Sequence, residues 1–316
     1  MTRQWPAAVE EYLRSRYDVT FNTSNVPMTE SELREATRNF DVLCTSTSDQ
    51  ITTHVLNHPD SKVKLICNYG VGYEHIDVNA CKQRNIMVTN TPDVLTDATA
   101  ELAIMLMLMV ARRASENERN FRTTFSTDWR PTHLLGTQVT GKTLGLIGFG
   151  RIAKAVAIVA SNGLRMKVLY HSRRRADAAT ETSLHVEYCQ DIDTLLAASD
   201  FVSLHCPGGK ETEKLINAKR LQTMKRSAFL INTARGSVID EASLINALHN
   251  QIIAGAGLDV YCNEPTVNKQ LFDVPNVVLL PHIGSATTET RHAMGMRAVS
   301  NLEAWLEGRE IPDRLT

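Results

Sequence analysis

An arginine, a glutamate and a histidine in the last third of this 316-residue chain each fall just beyond an apolar run. Arg235 follows Ser227 to Asn232, Glu264 follows Ile253 to Leu258, and His282 follows Val277 to Leu280 after Pro281. A guanidinium can hold a carboxylate or polarise a carbonyl, an imidazole can exchange a proton near neutrality, and a nearby carboxylate can orient that imidazole and raise its pKa. Taken singly they read as a surface ion pair, a solvated loop acid and a satisfied core histidine. Their placement at successive strand ends makes them a candidate set for handling a 2-oxo acid, because open α/β sheets bind ligands beyond the carboxyl ends of their strands.

The stretch that would position them runs from Thr143 to Arg175. Leu144 to Ile147 is an apolar strand, and Gly148, Gly150 and Ala153 give the spacing G-x-G-x-x-A. Ile152 to Ala160 is a helical segment that Gly163 can end, and Lys167 to Tyr170 is a second strand. Gly148 allows a tight turn, Gly150 lets a pyrophosphate approach the backbone, and a small residue at 153 allows close helix packing. The helix N-terminus would hold the anion through free N–H groups and the helix dipole. An NAD site usually carries an acid at the second strand's tip, but here stand His171, Ser172, Arg173, Arg174 and Arg175. A hydroxyl and guanidinium forks suit a 2′-phosphate, so the tip favours NADP(H). Asp177 is close enough in sequence to keep NAD(H) open.

Strand and helix signals alternate along the rest of the chain, implying mostly parallel sheets with crossover helices. Residues 1 to 97 carry strands at Asp41 to Cys44, Lys64 to Asn68 and Ile86 to Val88. Helical segments lie near Glu30 to Asn39, Ile51 to Leu56 and Val78 to Arg84. Asn68-Tyr69-Gly70-Val71-Gly72 is a strand end followed by two glycines, read on its own as a plain turn or as an anion cradle of backbone amides. Asp97 is a candidate N-cap for an apolar helix through Ala111, and Ser115 to Gly141 reads as a long irregular connection. Beyond Thr143, strands near Phe201 to His205, Ser227 to Asn232, Ile253 to Leu258 and Val277 to Leu280 complete a six-stranded dinucleotide fold. Thr287 to Gly308 closes the chain as a helix. The expected domains are 1–97 with 287–316, and 98–286.

A net charge of -1 and a pI near 6.8 give no global attraction to nucleic acid or to anionic membrane. The most apolar run, Leu102 to Ala111, is half the roughly twenty residues a membrane helix needs. Six scattered cysteines form no C-x-x-C pair and no zinc spacing, which points to reduced thiols, no metal and a cytoplasmic protein.

Through GLIGFGRIA, LINTARGSVIDEASL, GAGLDVYCNEP, LLPHIGSAT and NYGVGYEHID, the chain resembles the D-isomer-specific 2-hydroxyacid dehydrogenases over essentially its full length. VTNTPDVLTDATAELA and the YHSRRR tip are most similar to the glyoxylate and hydroxypyruvate reductase branch. The resemblance implies a Rossmann domain paired with a flavodoxin-like substrate domain, with the active site in the cleft. It places the catalytic arginine, glutamate and histidine on Arg235, Glu264 and His282. It puts the substrate-carboxylate loop on Val71 and Gly72, with pocket walls at Tyr69 and Leu95. The cofactor contacts fall on Thr99, Arg151, Ile152, His205, Cys206, Pro207 and Thr212, and on Thr233, Ala234, Asp259 and Gly284. The implied reaction is NADPH-dependent reduction of glyoxylate and hydroxypyruvate to D-2-hydroxy acids. The implied assembly is a homodimer through the helix from Leu102 and the loop at Trp129. Alternatives are an NAD-dependent dehydrogenase of other specificity and a dinucleotide-sensing corepressor-like protein. Against the family pattern, the first strand is nearly missing at Met1-Thr2-Arg3, so the first sheet is expected to lack a strand or to have a weakened edge. Gly208-Gly209-Lys210 replaces a threonine-proline pair after Pro207.

Overall fold

Short apolar runs separated by helices build two parallel sheets, one in each of two units. The computed structural model describes residues 1–125 and 129–316. One unit is Met1–Leu95 with Ser285–Thr316, and the other is Thr96–Gly284.

The first unit holds a three-stranded sheet of β1 (Val42–Ser46), β2 (Leu65–Tyr69) and β3 (Met87–Thr89), in that order. In the register Cys44 lies beside Cys67 and Ser46 beside Tyr69, so both strands deliver their last residues to one edge. Helices α1 (Ala7–Arg14), α2 (Glu30–Asn39), α3 (Thr53–Leu56), α4 (Val78–Gln83) and α12 (Thr288–Leu306) surround it. A capping box fixes the start of α2: Thr29 accepts from the Glu32 amide, and Glu32 accepts from the Thr29 amide. The core is aliphatic, with Leu33, Ile51, Val55, Ile66 and Val88 at its centre. Met1 to Arg3 forms no strand, though the Thr2 amide donates to the Cys44 carbonyl at 3.0 Å.

The second unit contains β4 (Thr143–Ile147), β5 (Lys167–His171), β6 (Val186–Tyr188), β7 (Phe201–Leu204), β8 (Phe229–Asn232), β9 (Gly255–Leu258) and β10 (Val277–Leu279). Their order is β10-β9-β8-β7-β4-β5-β6, all parallel. Helices α7 (Arg151–Ile158), α8 (Ala178–Leu184), α9 (Ile192–Ala198), α10 (Ala218–Thr223) and α11 (Glu241–His249) are the crossovers. Both faces of such a sheet must be covered, and the four residues of β7, β8 and β9 are accordingly all buried. The apolar helix α5 (Thr96–Ala111) lies on one face with Leu106, Met107 and Val110 in the same core as Leu144 and Ile231. The sequence switches direction at β4, where the chain moves from β6 to β7 on the other side.

Three elements differ from the sequence reading. Among the described residues this sheet has seven strands, not six; the added strand, β6, has only three residues and one buried side chain, too short a run to signal a strand. The stretch from Ser115 is not irregular throughout, since α6 spans Ala114–Thr124. It buries no residue and so has no apolar stripe; same-face pairs such as Arg113 with Glu116 and Arg122 with Glu118 support it instead. Residues 126–128 of that stretch lie outside the described residues. Asp97 sits inside the first turn of α5, which begins at Thr96, and is not its cap.

Candidate active site

Arg235, Glu264 and His282 leave the adjacent strands β8, β9 and β10, and backbone bonds tie those ends together. The Asp259 amide donates to Asn232 O, and the Leu280 amide to Leu258 O, both at 2.9 Å. Buried Asn232 then shapes the turn that follows it. Its Oδ1 accepts from the Ala234 amide at 3.0 Å, and its Nδ2 donates to the Arg235 carbonyl at 2.9 Å. Gly236 has to be glycine here, because a Cβ would sit 1.9 Å from the Tyr261 carbonyl carbon. That contact presses the turn carrying Arg235 against the turn carrying Glu264.

His282 Nδ1 donates to Glu264 Oε2 at 2.5 Å, while Glu264 Oε1 accepts from the Tyr261 amide at 2.8 Å. The carboxylate is thereby held at both oxygens and fixes which imidazole nitrogen carries the shared proton, leaving Nε2 for other partners. His282 adopts a left-handed φ of +55°, an uncommon conformation that surrounding contacts must hold. Those contacts come from Asp259, only 1 % exposed, whose two oxygens accept from the amides of Ile283 and Gly284 at 2.8 Å each. Each oxygen keeps a further lone pair for a ligand amide.

Burial pushes the Glu264 carboxyl up, but the hydrogen bond and charge of His282, the Tyr261 amide and the charge of Arg235 outweigh it. The carboxyl sits below its usual range and stays ionised at neutral pH. Asp259 goes the other way, raised by burial against the opposing pull of the two amides and His282.

The glycine turn fits a dinucleotide. Gly148 adopts a φ of +90°, and a Cβ there would lie 2.6 Å from the Cys206 amide nitrogen. At Gly150 a Cβ would meet nothing within 4 Å, so the first turn of α7 presents open space in front of its amides. Ala153 is fully buried behind it. Thr233 Oγ1 is a buried hydroxyl without a partner among the described residues, and Thr99 lies beside Gly284. Cys206 is buried and Pro207 exposed, with the Pro207 carbonyl accepting from Thr212 Oγ1 at 2.6 Å. The His205 ring is bonded to Ser203 Oγ at 2.9 Å, and burial drives its pKa down to about 4, so it is neutral.

The basic tip resolves into three different arginines. Arg175 makes two bonds to Glu181, at 2.7 and 2.8 Å, and Arg173 pairs with Glu211 at 2.6 Å. Arg174 makes no ion pair among the described residues, and Ser172 Oγ donates to its carbonyl at 2.5 Å. Asp177 caps α8, accepting from the amide and hydroxyl of Thr180 at 2.8 and 2.7 Å.

In the first unit, the loop after β2 is held by two asparagines. Asn68 Nδ2 donates to the carbonyls of Gly70 and Gly72 at 3.1 and 2.9 Å, and Asn90 Nδ2 donates to that of Val71 at 2.9 Å. With three carbonyls turned inward, the amides of Val71 and Gly72 donate to no acceptor among the described residues. That makes them an anion cradle in form. Tyr69 Oη is spent on the Arg291 carbonyl at 2.5 Å, and Leu95 is buried. Asn68, Asn90 and Asn232 escaped the sequence reading. The available signal was an asparagine at an apolar strand's end before a turn, where its amide mimics backbone.

Among the described residues no group of three or more histidine, cysteine or acidic side chains could hold a metal. No helix is long and apolar enough to cross a membrane. A cavity of about 520 Å³ in the second unit opens between Val110, Phe229, Ile253 and Val277, at the amino ends of β8 to β10 and away from this chemistry.

Residues 104–284 match the model of the D-isomer specific 2-hydroxyacid dehydrogenase NAD binding domain. The chain is 44% identical over its full length to the glyoxylate reductase of Thermococcus litoralis, 95% of which is covered. It is 36% identical to the glycerate dehydrogenase of Hyphomicrobium methylovorum, with 97% of this chain and 96% of that one aligned. Among solved structures, the NADPH-dependent glyoxylate/hydroxypyruvate reductase of Sinorhizobium meliloti, in complex with NADP and malonate, superposes with a TM-score of 0.87. It is 32% identical, and the match covers 99% of this chain and 95% of that one.

Proposed function

The chain belongs to the D-isomer specific 2-hydroxyacid dehydrogenase family, and from that premise we propose that it reduces glyoxylate and hydroxypyruvate to D-2-hydroxy acids with NADPH. The observation that carries the reading is the His282–Glu264 pair at 2.5 Å, set on strand ends of a dinucleotide-binding sheet. When bound, the reduced nicotinamide ring supplies hydride to the carbonyl carbon. His282, with Nδ1 engaged by Glu264, delivers its Nε2 proton to the carbonyl oxygen as negative charge grows there. Arg235 stabilises that charge and, with the amides of Val71 and Gly72, holds the substrate carboxylate, so that the reacting atoms are oriented before the step. Tyr69 and Leu95 wall the pocket.

For the cofactor, Gly148, Gly150, Arg151 and Ile152 form the pyrophosphate turn. Thr99, Cys206, Pro207, Thr212, Thr233, Ala234, Asp259 and Gly284 supply the remaining contacts. Ser172 and Arg174 are the 2′-phosphate ligands, because Arg173 and Arg175 already hold the carboxylates of Glu211 and Glu181, and Asp177, the acid nearest the tip in sequence, is committed to a helix cap. A two-copy assembly is supported by apolar side chains exposed on and after α5, among them Met105, Phe121, Phe125 and Trp129. Six free cysteines support a cytoplasmic setting.

The test follows loss of NADPH and NADH absorbance with glyoxylate, hydroxypyruvate, pyruvate and a bulkier 2-oxo acid. We expect glyoxylate and hydroxypyruvate with NADPH to give the highest kcat/KM; no turnover with any pair ends the reading.

A further inference from the structure

Asn68 shapes the loop after β2 from the inside, and its own orientation is set by an imidazole. The residue is fully buried, and its amide nitrogen donates to Gly70 O at 3.1 Å and to Gly72 O at 2.9 Å, which uses both hydrogens. Its Oδ1 faces His75 Nε2 at 3.0 Å. An amide oxygen only accepts, so Nε2 carries the hydrogen and donates. Turned by 180°, the Asn68 amide would set its oxygen against two carbonyl oxygens and its NH2 against the ring N–H. The His75 N–H therefore locks the orientation that turns the carbonyls of Gly70 and Gly72 inward.

The ring can act as such a stop because its backbone is fixed outside the loop. The Ile51 amide donates to the His75 carbonyl at 2.8 Å, the Asp77 amide donates to Ile51 O at 2.9 Å, and Ile51 forms a parallel bridge with Ile76. Both isoleucines belong to the core of the first unit. Amides that must point outward together need the neighbouring carbonyls held the other way. Asn90 holds the Val71 carbonyl alone, whereas Asn68 holds two carbonyls and leans on His75. Without the ring a fully buried acceptor has no donor, and rotation of the amide or loosening of the turn is the relief open to it. We infer that His75 is a positioning residue for substrate-carboxylate binding, acting through Asn68 to keep the amides of Val71 and Gly72 aimed at one anion. The inference rests on the proposed role of those amides and adds a side chain that acts on the substrate at one remove.

Calorimetric titration of the full chain, saturated with NADPH, with oxamate tests it, because oxamate carries the carboxylate of a short 2-oxo acid and accepts no hydride. His75→Ala should weaken oxamate about tenfold, the scale of a buried acceptor left without its donor. His75→Gln should stay within about threefold of the parent chain, since its amide nitrogen reaches about as far as Nε2, whereas His75→Asn falls short and should behave like His75→Ala. NADPH affinity should be the same in all four proteins, with circular dichroism reporting their fold. Oxamate bound as tightly by His75→Ala as by the parent chain overturns the inference. So does His75→Gln as weak as His75→Ala in a folded protein, because the ring would then act by packing and not by its N–H. A parent chain that takes up no oxamate overturns the cradle reading itself, and the inference with it. Glyoxylate turnover, measured in parallel, bears on the proposed reaction alone.

Discussion

The two polar ends of the dinucleotide-binding unit are built on different plans. Around His282 each group has its position set by at least one other: Glu264 is gripped at both oxygens, Asp259 holds the amides after His282, and Gly236 packs the neighbouring turns backbone to backbone. At the basic tip, Arg173 and Glu211 are 79% and 77% exposed and meet in a pair that solvent screens. A proton transfer needs a donor fixed to within tenths of an ångström, so its support must be dense even where, as here, the side chains of His282 and Glu264 are 39% and 33% exposed. Recognition of a phosphate at a solvent-facing tip tolerates looser charge, and single substitutions retune it. The difference predicts large, cooperative losses at one end and small, additive changes at the other.

The largest effect belongs to His282. His282→Ala should lower kcat/KM for glyoxylate about a thousandfold, within the range of general acid catalysis, while NADPH affinity by fluorescence titration changes little. Next comes Glu264→Gln, which keeps the shape and removes the charge; a loss of about a hundredfold is expected, carried mainly by kcat. Comparable losses at the tip would erase the contrast. There, Arg174→Ala should raise KM for NADPH about tenfold and leave NADH within about twofold, because only the former has a 2′-phosphate to lose. Equal weakening of both cofactors would remove the phosphate role. The smallest effect is expected from Glu211→Gln. Releasing Arg173 from its exposed partner should tighten NADPH by no more than about threefold, the scale of a surface ion pair.

The catalytic end was easier to read in the sequence than the elements framing it. Arg235, Glu264 and His282 stand out because each follows a strand that is apolar or nearly so, and buried parallel strands announce themselves that way. The glycine turn was legible for a related reason, since only glycine tolerates the φ at position 148. What patterning could not show lacks a pattern. Helix α6 buries nothing, β6 is three residues long, and the asparagines that shape both loops act through amide groups that any polar stretch contains. The tip lay between these cases. Its charge was plain, but the division of labour among Arg173, Arg174 and Arg175 depends on Glu211 and Glu181. Glu211 is thirty-eight residues from Arg173 in sequence.

The pairing of His282 with Glu264 is the centre of the account, and its electrostatic sign can be measured. Reduction needs the imidazolium, so kcat/KM falls as pH rises and His282 loses its proton. Because the carboxyl of Glu264 lies below its usual range, it is charged throughout that region and accepts the Nδ1 hydrogen as a carboxylate. The decisive measurement is therefore the pH dependence of kcat/KM for glyoxylate with saturating NADPH in the parent chain and in Glu264→Gln. In the variant, which lacks the directly bonded negative charge, the alkaline fall should begin at lower pH. Two profiles of the same shape, differing only in height, would contradict the pairing as the source of the proton.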